Sequence, residues 1–292
     1  MTGRTDLATA LPRPLGFVLG GGGSLGAVQV GMLLALAEQD LVPDLVVGTS
    51  VGAWNGVVVA LDPKTAPRRL GDIWPQITRQ MVFPGGPLAQ LRTLQQEKTH
   101  LFPNTGLRAV LHHYLPRAAT FADLSLPFAA VTMDVATTAP HVLLEGPLEP
   151  ALLASAAIPG IFPAVQVEER RLYDGGVVAN VPLMQALHLG ARSLVVLDAA
   201  FPGRLPTPPE TLAEALLFTA VVTMRVQATL EAPYAATQVP VVYLPGPEIQ
   251  RVSPLEFDHT ALLLEGGYQE ARAFLETVQV AGPGLYGSPS GR

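Results

Sequence analysis

Short unbroken runs of apolar side chains alternate along this chain with longer stretches in which apolar positions recur every three or four residues. The first run, LGFVLG at 15–20, ends in glycine and reads as a buried strand. From 24 to 39 the spacing of Ala27, Val30, Met32, Leu33, Leu36 and Ala37 predicts a helix, which Pro43 closes off. Residues 44–48 (DLVVG) predict a second buried strand, and the small apolar run 51–61 predicts a helix packed deep in the domain. The alternation returns with strands expected at 127–133, 170–173, 193–198 and 240–244, and helices at 149–157, 181–190, 209–231 and 258–279. Strand, turn and helix in this succession predict an α/β fold with a mainly parallel central sheet covered by helices.

Two stretches interrupt the rhythm: 82–104, which mixes Pro, Gly and polar residues, and the proline-rich 201–209. Both read as surface excursions. The expectation is a single catalytic domain over 15–282, with an N-terminal tail at 1–14 and a C-terminal tail at 283–292.

Composition narrows the function classes. Apolar residues make up 49 % of the 292 and charged residues only 14 %, with a mean hydropathy of +0.34. Such a chain buries a large core and has few charges to cover its surface, which suits a lipid-handling protein or an oligomer. The net charge of −6 and the lack of a dense Lys/Arg run argue against nucleic acid as a partner. With no cysteine, disulfides and thiolate metal sites are excluded, in keeping with a reducing, cytoplasmic compartment. The most membrane-like stretch, Leu216 to Met224, is bracketed by Glu214 and Arg225 and is far shorter than the roughly 20 apolar residues of a spanning helix. Any membrane contact is therefore expected to be transient and peripheral.

The strongest local signal is Gly48-Thr49-Ser50-Val51-Gly52. It is a G-x-S-x-G pattern between a strand and a helix, the setting of a nucleophile elbow. A sharp turn there lifts the Ser50 hydroxyl to a helix N-terminus, beside free backbone N–H groups. The second signal is Gly20-Gly21-Gly22-Gly23-Ser24-Leu25-Gly26, also between a strand and a helix. Consecutive glycines can aim several N–H groups at one point, as an oxyanion hole requires. A P-loop is ruled out because Ala27-Val28 follow Gly26 where Lys and Ser/Thr are needed. A dinucleotide fingerprint would accept Gly21, Gly23 and Gly26, but the acidic residue it expects after the second strand is replaced by Val47-Gly48-Thr49-Ser50. A plain glycine turn is the remaining reading.

A serine nucleophile needs a base. None of the six histidines stands in a glycine or turn pattern; His259, next to Asp258, is the best placed of them. Among the acids, Asp174 stands out in Tyr173-Asp174-Gly175-Gly176, although Asp-Gly is also a common turn pair.

Taken together and in order, GGGGSLGA at 20–27, GTSVG at 48–52, ASAAIPGIFPAV at 154–165 and DGG at 174–176 resemble the patatin-like phospholipases. The likeness covers roughly 15–200. The resemblance implies a three-layer α/β/α fold and a lipid acyl hydrolase that uses no cofactor and no metal. It makes Ser50 the nucleophile and Asp174 its base, with Gly48 and Gly52 shaping the elbow. Gly175 and Gly176 complete the acid's motif. Gly21, Gly22, Gly23, Ser24 and Gly26 form the oxyanion and substrate-binding loop, Gly22 and Gly23 being the expected donors. The implied partner is a lipid ester. A Ser-His-Asp esterase or acyltransferase with His259 as base, and a non-catalytic lipid-binding module, are the alternatives. Leu25 stands where many members carry Arg or Lys, so selection of a phosphate head group is not implied.

Overall fold

A computed structural model describes residues 7–115, 119–199, 209, 212–248 and 252–289. Nine strands form one sheet: β1 (Leu15–Leu19), β2 (Leu45–Thr49), β3 (Phe128–Asp134), β4 (Pro140–Leu143), β5 (Val165–Val167), β6 (Arg170–Asp174), β7 (Ser193–Leu197), β8 (Pro240–Tyr243) and β9 (Gly284–Tyr286). Their order is β5-β6-β3-β2-β1-β7-β8-β9, with β4 paired to β3. From β3 to β9 every pairing is parallel, whereas β4, β5 and β6 run antiparallel to their neighbours.

The central strands read as unbroken apolar runs because both their faces are covered. Side chains alternate across the sheet. Phe17, Leu19, Val46, Ala130, Val195 and Leu197 point into one core, shared with helices Ala27–Ala37, Val51–Leu61, Leu148–Ser155 and Thr260–Leu275. Val18, Val47, Val131, Leu194 and Val196 point into the other, shared with Leu183–His188 and Leu212–Ala236. The three-layer α/β/α architecture is thus borne out, as is the mainly parallel sheet.

Several boundaries need correction. The expected helix 24–39 begins as a 3-10 turn over Gly23–Gly26 and becomes α-helical only at Ala27. The excursion 82–104 contains a helix, Pro87–Glu97, with Leu88, Leu91 and Leu94 on its exposed surface. Its proline stands at the helix start, where the missing N–H costs nothing. Neither tail keeps its expected extent. Leu7 and Leu11 are buried, and Ser193 Oγ donates to the Pro12 carbonyl, so the chain packs on the domain from residue 7. At the other end β9 pairs with β8 beyond the expected boundary at 282. The proline-rich stretch 201–209 lies outside the described residues except for Pro209.

Candidate active site

β2 runs parallel to β3 and ends with Thr49 opposite Val131. β6 runs antiparallel to β3 and ends with Asp174 opposite Thr132. Two strand ends far apart in sequence therefore stop at neighbouring residues of one strand, which brings Ser50, just after β2, and Asp174, the last residue of β6, to the same part of the sheet.

Ser50 follows β2 directly and caps the helix Val51–Leu61 with φ 55° and ψ −126°. A positive φ is strained for any residue with a Cβ, and such strain persists only where the surroundings enforce it. Here the enforcement is visible. A side chain at Gly52 would put its Cβ 2.2 Å from the Leu19 carbonyl oxygen, so the helix can start this close to β1 only on a glycine. Gly48 faces the same turn, where a Cβ would lie 2.4 Å from the Gly52 oxygen. The Ser50 carbonyl accepts the first helical N–H bonds, from Ala53 and Trp54. Its own N–H donates to Ser155 Oγ at 2.9 Å.

The Ser50 side chain acts on the carboxyl of Asp174, favouring its ionised form, and Asp174 Oδ1 accepts the Gly176 N–H at 2.7 Å. Only 3 % of Asp174 is exposed. Burial pushes its pKa from an ordinary 3.8 to about 7, while the Ser50 side chain and the Gly176 N–H pull it part of the way back. Among the described residues, no imidazole acts on this carboxyl. His259, the alternative base, is exposed and precedes the helix Thr260–Leu275. Gly175 lies against β3, where a Cβ would sit 2.5 Å from the Val131 oxygen.

The glycine loop is held at both ends. Gly20 N–H donates to the Leu197 carbonyl, Gly21 N–H to that of Asn180, and Ser24 N–H to that of Pro254. Gly23 adopts φ 58°, and a Cβ there would lie 2.3 Å from the Pro254 oxygen, so glycine is required on both counts. Gly26 packs on Val51 and Trp74. Of the five loop residues expected at the site, Gly21 and Ser24 thus have their amides committed to the fold. The N–H groups of Gly22 and Gly23 take no partner among the described residues.

Sequence reasoning gave no role to the amides beneath this loop. Gln29 Nε2 donates to the carbonyls of Gly20 and Leu197, at 2.7 and 2.9 Å. Asn55 Nδ2 donates to the Gly26 carbonyl and to Gln29 Oε1, and Asn55 Oδ1 accepts from Trp74 Nε1. A polar residue within each of two otherwise apolar helices, AVQVGMLLALA and VGAWNGVVVAL, was the available signal. Asn180 adds a third tie, its carbonyl receiving Gly21 while its own N–H donates to Gln227 Oε1.

The family model for patatin-like phospholipases matches residues 17–187, a span that holds the glycine loop, Ser50 and Asp174. The chain belongs to that family. Patatin-like phospholipase domain-containing protein 7 of Mus musculus is 30 % identical over 63 % of this chain and 13 % of its own length. Lysophospholipase nte1 of Aspergillus terreus is 28 % identical over 64 % and 12 %. The chain therefore spans only a small part of these patatin-like relatives. Among solved structures, VipD from Legionella pneumophila superposes with a TM-score of 0.50 at 16 % identity, over 91 % of this chain and 67 % of that one, a likeness of fold. Among the described residues, no helix is long and apolar enough to cross a membrane.

Proposed function

We propose that this patatin-like chain is a lipid acyl hydrolase that cleaves carboxylic esters of lysophospholipids, phospholipids or glycerides through an acyl-enzyme on Ser50. The observation that carries the reading is a buried carboxyl raised to a pKa of about 7, with the Ser50 side chain among the groups acting on it. A carboxylate with an ordinary pKa is too weak a base to help much at neutral pH; one raised to the working pH is well matched to the task.

The chemistry follows from that pair. Asp174 takes the Ser50 proton as Oγ attacks the ester carbonyl carbon. Charge develops on the carbonyl oxygen, and the open N–H groups of Gly22 and Gly23 are the available donors for it. The ester bond breaks, protonated Asp174 gives its proton to the departing alcohol, and Ser50 holds the acyl group. Water then attacks the acyl carbon, losing its proton to Asp174. That proton returns to Ser50 Oγ as the fatty acid leaves.

The names of the relatives favour a lysophospholipid or phospholipid ester. Leu25 supplies no charge for a head-group phosphate, so the acyl chain is expected to govern selectivity. The test is twofold: release of fatty acid from lysophosphatidylcholine, and labelling by a fluorophosphonate. Wild type should do both. Ser50→Ala should lose labelling entirely and turnover by at least about a thousandfold. An unlabelled wild type that releases no acid from any ester refutes the reading.

A further inference from the structure

Ser155 ends the helix Leu148–Ser155 and is completely buried. Its hydroxyl has two partners. Oγ accepts the Ser50 N–H at 2.9 Å and donates to the Val131 carbonyl at 2.7 Å. Thr49 and Val131 are the last paired residues of β2 and β3. One hydroxyl therefore occupies the place of the next rung between the two strands, relaying N–H to O–H to C=O where a direct bond would otherwise form. This relay stands where the pairing of β2 with β3 ends, one residue before the Thr132 that pairs with Asp174. The same Val131 carbonyl lies against Gly175.

Resting on the acyl-hydrolase reading above, we propose that Ser155 is a positioning residue, fixing the Ser50 amide so that the hydroxyl stays aimed at Asp174 in its positive-φ conformation. Ser155 has no part in bond making. Without its oxygen the buried Ser50 N–H has no acceptor, and the strained turn loses the bond that opposes relaxation. A shift of about 1 Å in a reacting group can cost about a hundredfold in rate.

The experiment compares wild type with Ser155→Ala, Ser155→Thr and Ser155→Cys in steady-state ester hydrolysis from pH 5 to 9. Ser155→Ala should lower kcat by about ten- to a hundredfold and leave KM within about twofold. The acidic limb of its pH–rate profile should move to higher pH. The Ser50 side chain lowers the Asp174 pKa, so a Ser50 that drifts away from the carboxyl raises it. Burial and the Gly176 N–H, the other influences on that carboxyl, are left in place. Ser155→Thr keeps the hydroxyl and should recover most of the rate. Should the alanine variant fail to fold, Ser155→Cys keeps the size while weakening both bonds, and should show the same changes in smaller measure. An active wild type whose alanine or cysteine variant keeps its kcat and its pH limb overturns this inference alone. So does a folded threonine variant as impaired as alanine. A wild type that neither turns over nor is labelled overturns the hydrolase reading, and this one with it.

Discussion

Replacing Asp174 by Asn should abolish activity and, above neutral pH, make the protein more stable. Asn keeps an oxygen for the Gly176 N–H, and its amide group can still meet Ser50 Oγ, so the contacts survive and the charge does not. An acid whose folded pKa lies above its unfolded value costs stability wherever the unfolded chain is ionised more readily than the folded one. Here the two values are about 7 and 3.8. The cost is full above about pH 7, shrinks as pH falls from there, and is gone below about pH 3.8. At roughly 1.4 kcal/mol per pH unit, that gap amounts to about 4 kcal/mol at pH 8 to 9 and about 2 kcal/mol near pH 5.4. In a domain of this size the larger figure corresponds to a rise in Tm on the order of 10 °C. Thermal unfolding of wild type and Asp174→Asn in matched buffers from pH 5 to 9 checks it. A Tm difference that does not change with pH, or an Asn variant less stable than wild type at pH 8 to 9, would refute the assignment of a buried carboxyl with a raised pKa.

The same carboxyl must be ionised to accept the Ser50 proton, so kcat/KM should climb with pH through about 7 and then level off. A profile already flat from pH 5 upward contradicts this. Asn55→Leu strands three buried partners, the Gly26 carbonyl, Gln29 Oε1 and the Trp74 N–H. It should cost about 3 kcal/mol in denaturant unfolding and slow fluorophosphonate labelling as the glycine loop loosens. His259→Ala should hydrolyse ester within about twofold of wild type, as expected for an exposed residue outside the reacting pair. Near-complete loss would restore the histidine-dependent alternative.

Much of this was legible because it is local. Gly48, Ser50 and Gly52 lie within one turn, and the strand before them and the helix after them are strongly patterned, so the elbow could be read from one short window. The helix expected at 51–61 is found at those residues. What escaped was either short or long-range. β5 and β9 have three residues each, too few for periodicity to register. The Pro87–Glu97 helix was hidden by the proline and glycines at its start and by its polar remainder. Ser155 lies inside a stretch that carried the family resemblance, yet its bond to Ser50 spans 105 residues of sequence. No spacing rule reports such a contact; it exists only because the end of the helix Leu148–Ser155 meets the ends of β2 and β3.

The polar groups missed in the sequence share one physical purpose. A carboxyl raised to a useful pKa must be dry, and a dry site cannot use water to satisfy the backbone around it. Every N–H and C=O exposed by the strained turn and the glycine loop must then find a partner in the protein, or remain open for a ligand. Gln29, Asn55, Ser155 and Asn180 are those partners, all buried. They engage the Gly20 and Gly26 carbonyls, the Ser50 amide and the Gly21 amide. Two amides, those of Gly22 and Gly23, take no partner among the described residues. Both glycines are partly buried, and a donor left open there costs stability to the extent that water cannot reach it. On the proposed hydrolase reading, a substrate oxygen that becomes charged in the transition state would take these donors, and the pattern of satisfied and unsatisfied amides marks where that reading puts the reacting carbonyl.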